Sequence, residues 1–499
     1  MPTTASIRPI RTIHTPARIT RARGRKLGRS LRGALAALLL GPPLSGCILG
    51  TERPELALDM SDNYRYASKH NADAAVPMLD WWRGFRSGEL TSLMEEAQTY
   101  NLDIAVAIAQ IVQADAQVGI AGSPLLPSLT GNASGEAMQQ AGISLPRFNV
   151  NLTASYMLDF WGRNRALLYA AEENATVSRY NREVVALTSI VTVANTYFQV
   201  LAAEDQLRVT RQNLAAAERI LTLVRQQFNG GTASQLDLSQ QEALVATQRA
   251  NIPPLEVTRD QNIAALAVLV GRAPANFTVR GGSARQIAVP RVTPGLPSEL
   301  LYQRPDIRLA EAQLAASNFN VEAARAAFFP QIQLTGTTGY QSTALASLFT
   351  PGAWYYTAIA SLTQPIFDGF LLESQLKQAK GVQLQNLQTY RKTVLSAFAN
   401  VETALIALQK FTLQEKLQSD AVASSRKAFD VAETQLRGGT INLITVLQAQ
   451  QTLFTAESTL VLVRLNKLLA ATSLFQALGG GWTPRGTLVS FQQPDGSVR

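Results

Sequence analysis

The 499-residue sequence predicts a mainly α-helical chain with two pairs of short amphipathic β-strands, built from two tandem copies of one unit. Three observations predict this class. The same landmarks occur twice in the same order, long segments of helical periodicity lack proline, and short segments between them alternate polar and apolar residues. Each copy therefore places two strands between long helices.

The duplication is visible as five landmarks of the first half that return in the second half at a nearly constant spacing. The pairs are Asn101–Ile104 with Arg304–Ile307, Leu126–Leu129 with Phe329–Ile332, Phe160–Gly162 with Phe367–Gly369, Gly230–Thr232 with Gly438–Thr440, and Leu269–Gly271 with Ala477–Gly479. Chance similarity between helices rich in Ala and Leu rarely keeps both order and spacing, so duplication is favoured. We place repeat 1 at residues 91–295, repeat 2 at residues 296–482 and a C-terminal tail at residues 483–499.

The basic character of the chain lies in its N-terminal leader. The net charge of +9 suggests a nucleic-acid partner, but residues 1–46 hold nine Lys or Arg and no acid. The remainder has 36 basic and 36 acidic residues and carries no electrostatic footprint for a phosphate backbone. Nucleic acid is therefore excluded as a partner.

Residues 1–46 have the pattern of a lipoprotein signal peptide. An apolar run too short to span a bilayer leads to Leu44-Ser45-Gly46-Cys47. Cys47 is the only cysteine, so intramolecular disulfides are excluded. The four residues resemble the bacterial lipobox, which implies an S-diacylglycerol group and an N-palmitoyl group on Cys47, and residues 47–90 as a lipidated N-terminal segment. The alternative is an incidental cysteine near a signal peptide.

Two very long helices are predicted, from Asn164 to Asn229 and from Leu371 to Arg437. Residues 147–252 and 366–483 contain no proline, and their apolar residues recur at alternating steps of three and four. This is the seam pattern of coiled-coil packing. At 1.5 Å per residue each helix extends about 100 Å, which a single globular domain seldom uses.

Each long helix is predicted to end in a helical hairpin tip, at residues 229–232 and 437–440. Glycine just past a helix end favours a left-handed cap, and the threonine can begin the next helix. Any antiparallel helix pair needs such a turn, so the sequence alone favours a purely structural role. Pro253 and Pro254 must break the returning helix of repeat 1, whereas repeat 2 has no such break.

Four strands are predicted, at about residues 127–138, 148–160, 330–341 and 354–365. Their period-two alternation over about eleven residues matches the length of a tilted membrane-spanning strand. Trp354, Tyr355 and Tyr356 suggest an interfacial aromatic belt. Because four strands cannot close a barrel and lipid does not tolerate open edges, several chains must contribute strands. The alternative is a soluble hairpin packed on the helices.

An enzyme is disfavoured by the residue inventory. Beyond the leader the chain has one histidine, His70, and no cysteine except Cys47 to join it in a catalytic or metal-binding set. No Walker-type glycine-rich loop precedes a lysine. We therefore predict no catalytic residues, no metal and no cofactor.

Four segments in order form a further pattern: Trp81-Trp82 with Leu90 and Leu93, Leu296–Leu300 followed by Arg304–Ile307, Gln364–Phe367, and Ala477–Trp482. Together they resemble the TolC and OprM-type outer membrane factors, in the NodT-type lipoprotein branch. The resemblance implies a homotrimer whose four strands per chain close a 12-stranded outer membrane β-barrel, continued by a long periplasmic α-helical barrel. It also implies lipid anchoring in the outer membrane of a Gram-negative bacterium.

The resemblance further implies the channel component of a tripartite efflux system. Substrates would pass through it passively, driven by an inner membrane pump of the RND type that a periplasmic adaptor protein joins to it. Drugs, metals, small metabolites and proteins remain open as substrates. The alternative is a lipid-anchored periplasmic coiled-coil scaffold or adaptor without a pore. It would share the leader and the long helices, and the paired amphipathic strands in both repeats are the feature that discriminates the channel from it.

By the same resemblance, the two tips contact the adaptor, through Gly230, Gly231, Thr232, Gly438, Gly439 and Thr440. The resemblance also implies a gate just inside the tips, with Asp237 as its acidic residue and Ile444 as its apolar one. Gln448 stands where relatives of the OprM kind carry aspartate, so the sequence leaves open whether the gate has a second acidic ring. The alternative for Asp237 is a solvated residue that the helix macrodipole favours near a helix start.

Overall fold

The structure of the chain is a computed structural model that describes residues 64, 79–140, 143–290 and 300–482. The predicted signal peptide, Cys47, the segment Leu296–Glu299 and the tail at residues 483–499 lie outside the described residues.

The helices and strands follow one another in the order of two copies of one unit. The first copy contains α1 (Gly88–Tyr100), α2 (Leu102–Gly122), β1 (Ser128–Gln140), β2 (Ile143–Leu158), α3 (Arg163–Asn229), α4 (Gln235–Ala250) and α5 (Ile252–Leu269). The second contains α6 (Leu300–Gln303), α7 (Pro305–Ala326), β3 (Gln331–Ser342), β4 (Trp354–Thr363), α8 (Leu371–Arg437) and α9 (Leu443–Ala477). The predicted mainly helical class is thus confirmed.

The two long helices, α3 and α8, have 67 residues each and so extend about 100 Å. The coiled-coil pattern of both faces the protein interior: Phe198 in α3 and Val394 and Val401 in α8 are completely buried. The returning helix of the first copy is broken between α4 and α5, where Pro253 and Pro254 open α5, while α9 continues unbroken for 35 residues. Proline fits there because the first residues of a helix need no intrahelical donor.

The helices form a layer around α3. In the half nearest the strands α3 packs between α2 and α7, and α8 follows α7. In the half nearest the hairpin tips α3 packs between α4 and α5 on one side and α9 on the other, and α8 follows α9. Within the described chain α2 and α8 therefore lie at opposite margins of the layer.

The four strands form one antiparallel sheet in the order β1-β2-β3-β4. The central pair, β2 and β3, joins the two copies, with Phe148 opposite Ser342 and Leu158 opposite Ile332. β2 begins five residues before the predicted start at residue 148. Pro146 is accommodated there because β2 pairs only with β1 beyond the end of the β3 ladder.

In each copy the residue before the helix that leads to the strands (α2 or α7) hydrogen-bonds to the last residue of the returning helix (α5 or α9). This shared contact explains why the landmarks of the two copies keep their spacing. The side-chain amide of Asn101 donates to the carbonyl of Leu269 at 2.7 Å, and the guanidinium of Arg304 donates to the carbonyl of Ala477 at 3.0 Å. Gly271 and Gly479 have positive φ, and a Cβ there would collide with the carbonyl oxygens of the Tyr100 and Gln303 backbone, respectively. Only glycine meets both demands.

An aromatic core ties the second copy to the first. The 3-10 helix Trp81–Phe85 lies over α3, and the ring of Trp81 stacks on Phe475 of α9 at 4.9 Å. Phe85 packs against Phe198 of α3 at 5.2 Å. The core of the first copy therefore includes a helix of the second.

Beside this core, Glu89 of α1 receives two hydrogen bonds from other elements. The hydroxyl of Tyr197 donates to it at 3.1 Å, and the backbone amide of Arg280 donates at 2.6 Å. Burial, and to a smaller extent the charge of Glu89, raises the pKa of Tyr197 to about 12. Tyr197 is consequently a neutral hydrogen-bond donor at physiological pH.

Within the residues that the structure describes, three helical segments are long and apolar enough to cross a membrane, judged by length and composition alone: Gly88–Leu125, Arg163–Asn229 and Leu443–Ala477. Half or more of the apolar window is buried within the chain in the second and third segments, at 56% and 50%. In Gly88–Leu125 only 11% is buried. The apolar surface of α2 therefore lies at an uncovered margin of the layer.

Candidate functional site

The hairpin tips are left-handed turns whose second glycine carries the positive φ. Gly230 and Gly438 keep right-handed values of −82° and −79°, whereas Gly231 and Gly439 have φ of +76° and +69°. No atom lies within 4 Å of a Cβ added at either second glycine. Both tips thus present glycine backbone to open space.

The threonines of the tips do not begin the returning helices, contrary to the prediction. The hydroxyls of Thr232 and Thr440 donate back to the carbonyls of Gln227 and Gln435, at 3.0 and 3.1 Å. After a left-handed turn these hydroxyls lie beside the last free carbonyls of the preceding helix. The chain then continues for two more residues before the returning helix begins. The N-caps of the returning helices are Ser234 and Asn442.

Asp237 belongs to a capping box at the start of α4. One of its carboxylate oxygens accepts hydrogen bonds from the backbone amide of Ser234 at 2.9 Å and from the Ser234 hydroxyl at 2.7 Å. The Ser234 hydroxyl accepts from the amide of Asp237 at 3.1 Å. The carboxylate therefore stabilises the helix start, where the macrodipole also favours a negative charge. Thr445 occupies the equivalent place in the second copy, so only the first hairpin carries this acid.

Ile444 and Gln448 lie one turn apart on the exposed side of α9, while Leu443 and Val446 face the interior. The side chain of Ile444 is 49% exposed. Positions i and i+4 share a helix face, so these two residues form one surface. The structure thus joins two of the predicted gate residues and places Asp237 on the other hairpin.

The two hairpins touch each other at their ends. The side-chain amide of Gln227 in α3 donates to the carbonyl of Leu436 in α8 at 3.3 Å. Ile220 and Val224 of α3 share an apolar cluster with Phe429 and Leu453. The tips of the two copies are therefore one packed unit within the chain.

One face of the sheet is lined by hydroxyl and amide groups. Asn132 donates to Asn151 at 3.4 Å across β1 and β2, and the hydroxyls of Thr153 and Thr337 lie 3.2 Å apart across β2 and β3. The other face carries apolar side chains, including Leu152 and Leu362, which are 51% and 65% exposed. This is the amphipathic sheet that the alternation predicts.

Tyr355 does not belong to the aromatic belt predicted at residues 354–356. Because successive strand residues point to opposite faces, Trp354 and Tyr356 share the apolar face and Tyr355 lies on the polar face. Its hydroxyl accepts from the side-chain amide of Asn151 at 3.2 Å and donates to Asn149 at 3.3 Å.

Gly339 is a residue of this face that the sequence interpretation missed. It lies directly opposite Tyr355, and a Cβ there would collide with the backbone of Val150 and Asn151. A glycine inside an alternating strand is the signal that indicates close backbone approach.

The charged residues Glu136 and Arg147 oppose each other on the same polar face, in β1 and β2. The guanidinium of Arg147 donates to the side chain of Gln341 in β3 at 3.0 Å. Among the described residues no group of three or more His, Cys, Asp or Glu side chains is arranged to hold a metal ion.

Comparison with known proteins shows what the chain is similar to. The family model described as "Outer membrane efflux protein" matches residues 93–272 and 296–480. The pyoverdine export outer membrane protein OpmQ of Pseudomonas aeruginosa is 36% identical over 458 residues, covering 88% of this chain and 96% of OpmQ. The probable outer membrane lipoprotein SilC of Salmonella typhimurium is 31% identical over 407 residues, covering 81% of this chain and 88% of SilC.

A solved structure has the same fold. The outer-membrane channel OprN superimposes with a TM-score of 0.77 at 26% identity, covering 87% of this chain and all of the OprN chain.

Proposed function

The chain belongs to the outer membrane efflux protein family, and from this premise we propose that it is the outer membrane channel of a three-component efflux system. It is an outer membrane protein with a channel fold. Substrates pass through it passively, and the energy comes from an inner membrane pump of the RND type, joined to it by a periplasmic adaptor protein.

The observation that carries the proposal is the incomplete sheet. In the part of the chain that the structure describes, the outer edges of β1 and β4 have no strand partner, although one face of the sheet is apolar. Lipid cannot satisfy open backbone donors and acceptors. Three chains with four strands each close a twelve-stranded barrel, with the apolar face toward lipid and the polar face toward the lumen.

The pseudo-symmetry supplies a template for this closure. Within one chain α3 packs on α7 and α9 of the other copy. In the duplicated unit α8 corresponds to α3, α2 corresponds to α7, and α4 with α5 corresponds to α9. We infer that α8 of one protomer packs on α2, α4 and α5 of the next. The exposed apolar residues at these margins support the inference: Val106, Val112 and Ile120 in α2, and Val382, Leu395 and Leu417 in α8.

The same template supplies a register for the seam between protomers. Leu129 pairs with Ala154 in the first copy, and the equivalent Ile332 pairs with Leu362 in the second, so Leu362 is the counterpart of Ala154. By the same alignment of β1 with β3, Ala133 is the counterpart of Gly336. Ala154 opposes Gly336 where the copies meet within the chain. The template therefore places Leu362 of one protomer opposite Ala133 of the next.

Engineered disulfides test the channel directly. We expect the double variant Leu362→Cys with Ala133→Cys to form covalent trimers on oxidation, visible on denaturing gels. Leu362→Cys paired with Leu129→Cys, which lies four residues out of register, should remain monomeric on the same gels. Each single-cysteine variant controls for linkage through Cys47.

Conductance separates the channel from the scaffold alternative. A channel forms heat-resistant trimers in detergent and conducts ions in planar bilayers. A water-soluble rod without conductance would overturn the proposal. The continuous four-stranded sheet and the similarity to a channel structure both favour the channel.

The tips and the gate are proposed on the same basis. Gly230–Thr232 and Gly438–Thr440 contact the adaptor, which their exposure and open surroundings support. Asp237, Ile444 and Gln448 narrow the pore just inside the tips, and the missing second acid weakens attraction of cations there. Ile444 supports this assignment through its exposed apolar side chain.

The lipid anchor at Cys47 is proposed from the lipobox pattern and from the similarity to a probable outer membrane lipoprotein. Incorporation of radiolabelled palmitate that is lost in Cys47→Ala tests it.

A further inference from the structure

We propose that Tyr355 forms an aromatic platform on the inner wall of the barrel and binds planar aromatic groups of the molecules that pass through. The proposal rests on the proposed channel, because the polar face of the sheet is taken as the lumen wall. The main support is the position of the tyrosine ring, which follows from the hydrogen bonds that the Tyr355 hydroxyl makes.

The ring lies flat along the wall. Tyr355 stands in β4, but its hydroxyl bonds to Asn149 and Asn151 of β2, with β3 between them. Neighbouring strands are about 4.8 Å apart, so the side chain must cross the whole width of β3 to reach β2. It can do so only by lying parallel to the sheet.

Gly339 makes room for this crossing. It is the residue of β3 that pairs with Tyr355, and because it has no side chain the polar face of β3 is clear at that point. This lets a ring that crosses β3 rest one face on the Gly339 backbone. The opposite face is turned to the lumen, which agrees with the partial exposure of Tyr355.

The surroundings define the chemistry of the ligand. Hydroxyl and amide groups line the wall, and because they are neutral they attract neither cations nor anions in particular. The first copy carries Arg147 opposite Glu136 at the positions that Tyr355 and Gly339 occupy in the second copy. A closed barrel of three chains therefore alternates tyrosine rings with guanidinium groups at one level.

A planar aromatic group with an acidic substituent fits such a level. Its ring stacks on a tyrosine face in an offset arrangement, and its anionic substituent reaches a guanidinium. Glu136 limits the attraction of a simple anion, so the aromatic contact provides the selectivity.

The test uses purified trimers of the full mature protein in lipid nanodiscs and saturation-transfer NMR. The probes are 2-naphthalenesulfonate and decahydronaphthalene-2-sulfonate, which carry the same charge and the same ten ring carbons and differ in whether the rings are planar and aromatic. We expect the naphthalene probe to bind the wild-type trimer at least about fivefold more tightly, as stacking on one aromatic side chain predicts. Equal binding of both probes would overturn the proposal.

The matched variants are Tyr355→Thr and Tyr356→Thr, which remove the same side chain from opposite faces of one strand. We expect Tyr355→Thr to weaken binding of the naphthalene probe about fivefold or more, and Tyr356→Thr to leave it unchanged. Equal binding to both variants would contradict the platform. Tyr355→Leu replaces Tyr355→Thr if the latter does not assemble.

The result is separable from the channel proposal. Wild-type trimers that conduct ions but do not discriminate between the probes refute only the platform. Protein that forms neither trimers nor pores refutes the channel on which the platform depends.

Discussion

At the residue scale, the second glycine of each tip combines a positive φ with open surroundings. We predict that Gly231→Arg or Gly439→Arg abolishes export while trimers still form, because the added bulk and charge occupy the adaptor contact without a clash inside the chain. Cell accumulation of an exported dye and heat-resistant trimers on gels measure the two effects. Trimers that still form in the arginine variants would show that export is lost through adaptor docking and not through failed assembly.

The control for these variants is alanine at the same two positions. It carries the same backbone cost of about 1 kcal/mol for a left-handed residue but adds little bulk. Export should survive it. Unchanged export in the arginine variants would discard the adaptor contact.

Tyr197 supplies a prediction about pH. Its pKa rises from 10.0 to about 12 in the folded chain because it is buried. Because this pKa is higher in the folded than in the unfolded chain, the neutral Tyr197 hydroxyl contributes its full stabilisation below pH 10. That contribution is lost as the pH rises from about 10 to 12. The melting temperature of the wild type should therefore fall more steeply between pH 10 and 12 than that of Tyr197→Phe. Parallel curves would contradict the assignment.

At the scale of single elements, the sheet depends on one of its glycines and tolerates change at another. A Cβ at Gly339 would collide with the β2 backbone, whereas one at Gly336 in the same strand meets no atom within 4 Å. We expect Gly339→Ala to destabilise the trimer by about 2 kcal/mol and Gly336→Ala to change it by less than about 0.5 kcal/mol. The temperature at which trimers dissociate on gels measures both; equal effects would show that β2 and β3 are not so close.

Elements differ in how far their boundaries were predictable from sequence. Both ends of α8 were predicted because its apolar period runs unbroken from one glycine-containing turn to the next. The start of β2 was missed because an outermost strand segment with a single neighbour tolerates a proline, and this depends on where β3 ends. The N-caps at Ser234 and Asn442 were missed because a capping side chain is chosen by the geometry of the preceding turn.

At the scale of the whole molecule, the two copies depend on each other. Phe475 of α9 stacks on Trp81, and Leu468 and Ala471 of α9 join the same core as Phe198. We predict that residues 1–295 and a second fragment of residues 296–499 with its own signal peptide assemble into trimers when expressed together. Neither fragment should form trimers alone, because each leaves part of this core exposed.

Denaturing gels of membranes without heating measure the assembly. A chain cut at residue 195, in the middle of α3, serves as the control and should not assemble. Trimers formed by the first fragment alone would show that the copies are independent.

The sequence by itself determined the duplication, the long helices, the alternating strands and the tips. Each of these features follows from the local periodicity of apolar residues or from the spacing of glycine and proline. Only the tertiary structure decided that the β2–β3 pair joins the copies, that Asp237 caps α4, and that Tyr355 crosses Gly339. The physical reason is that such contacts join residues far apart in the chain or on separate elements, and packing, rather than any local pattern, brings them within hydrogen-bonding distance.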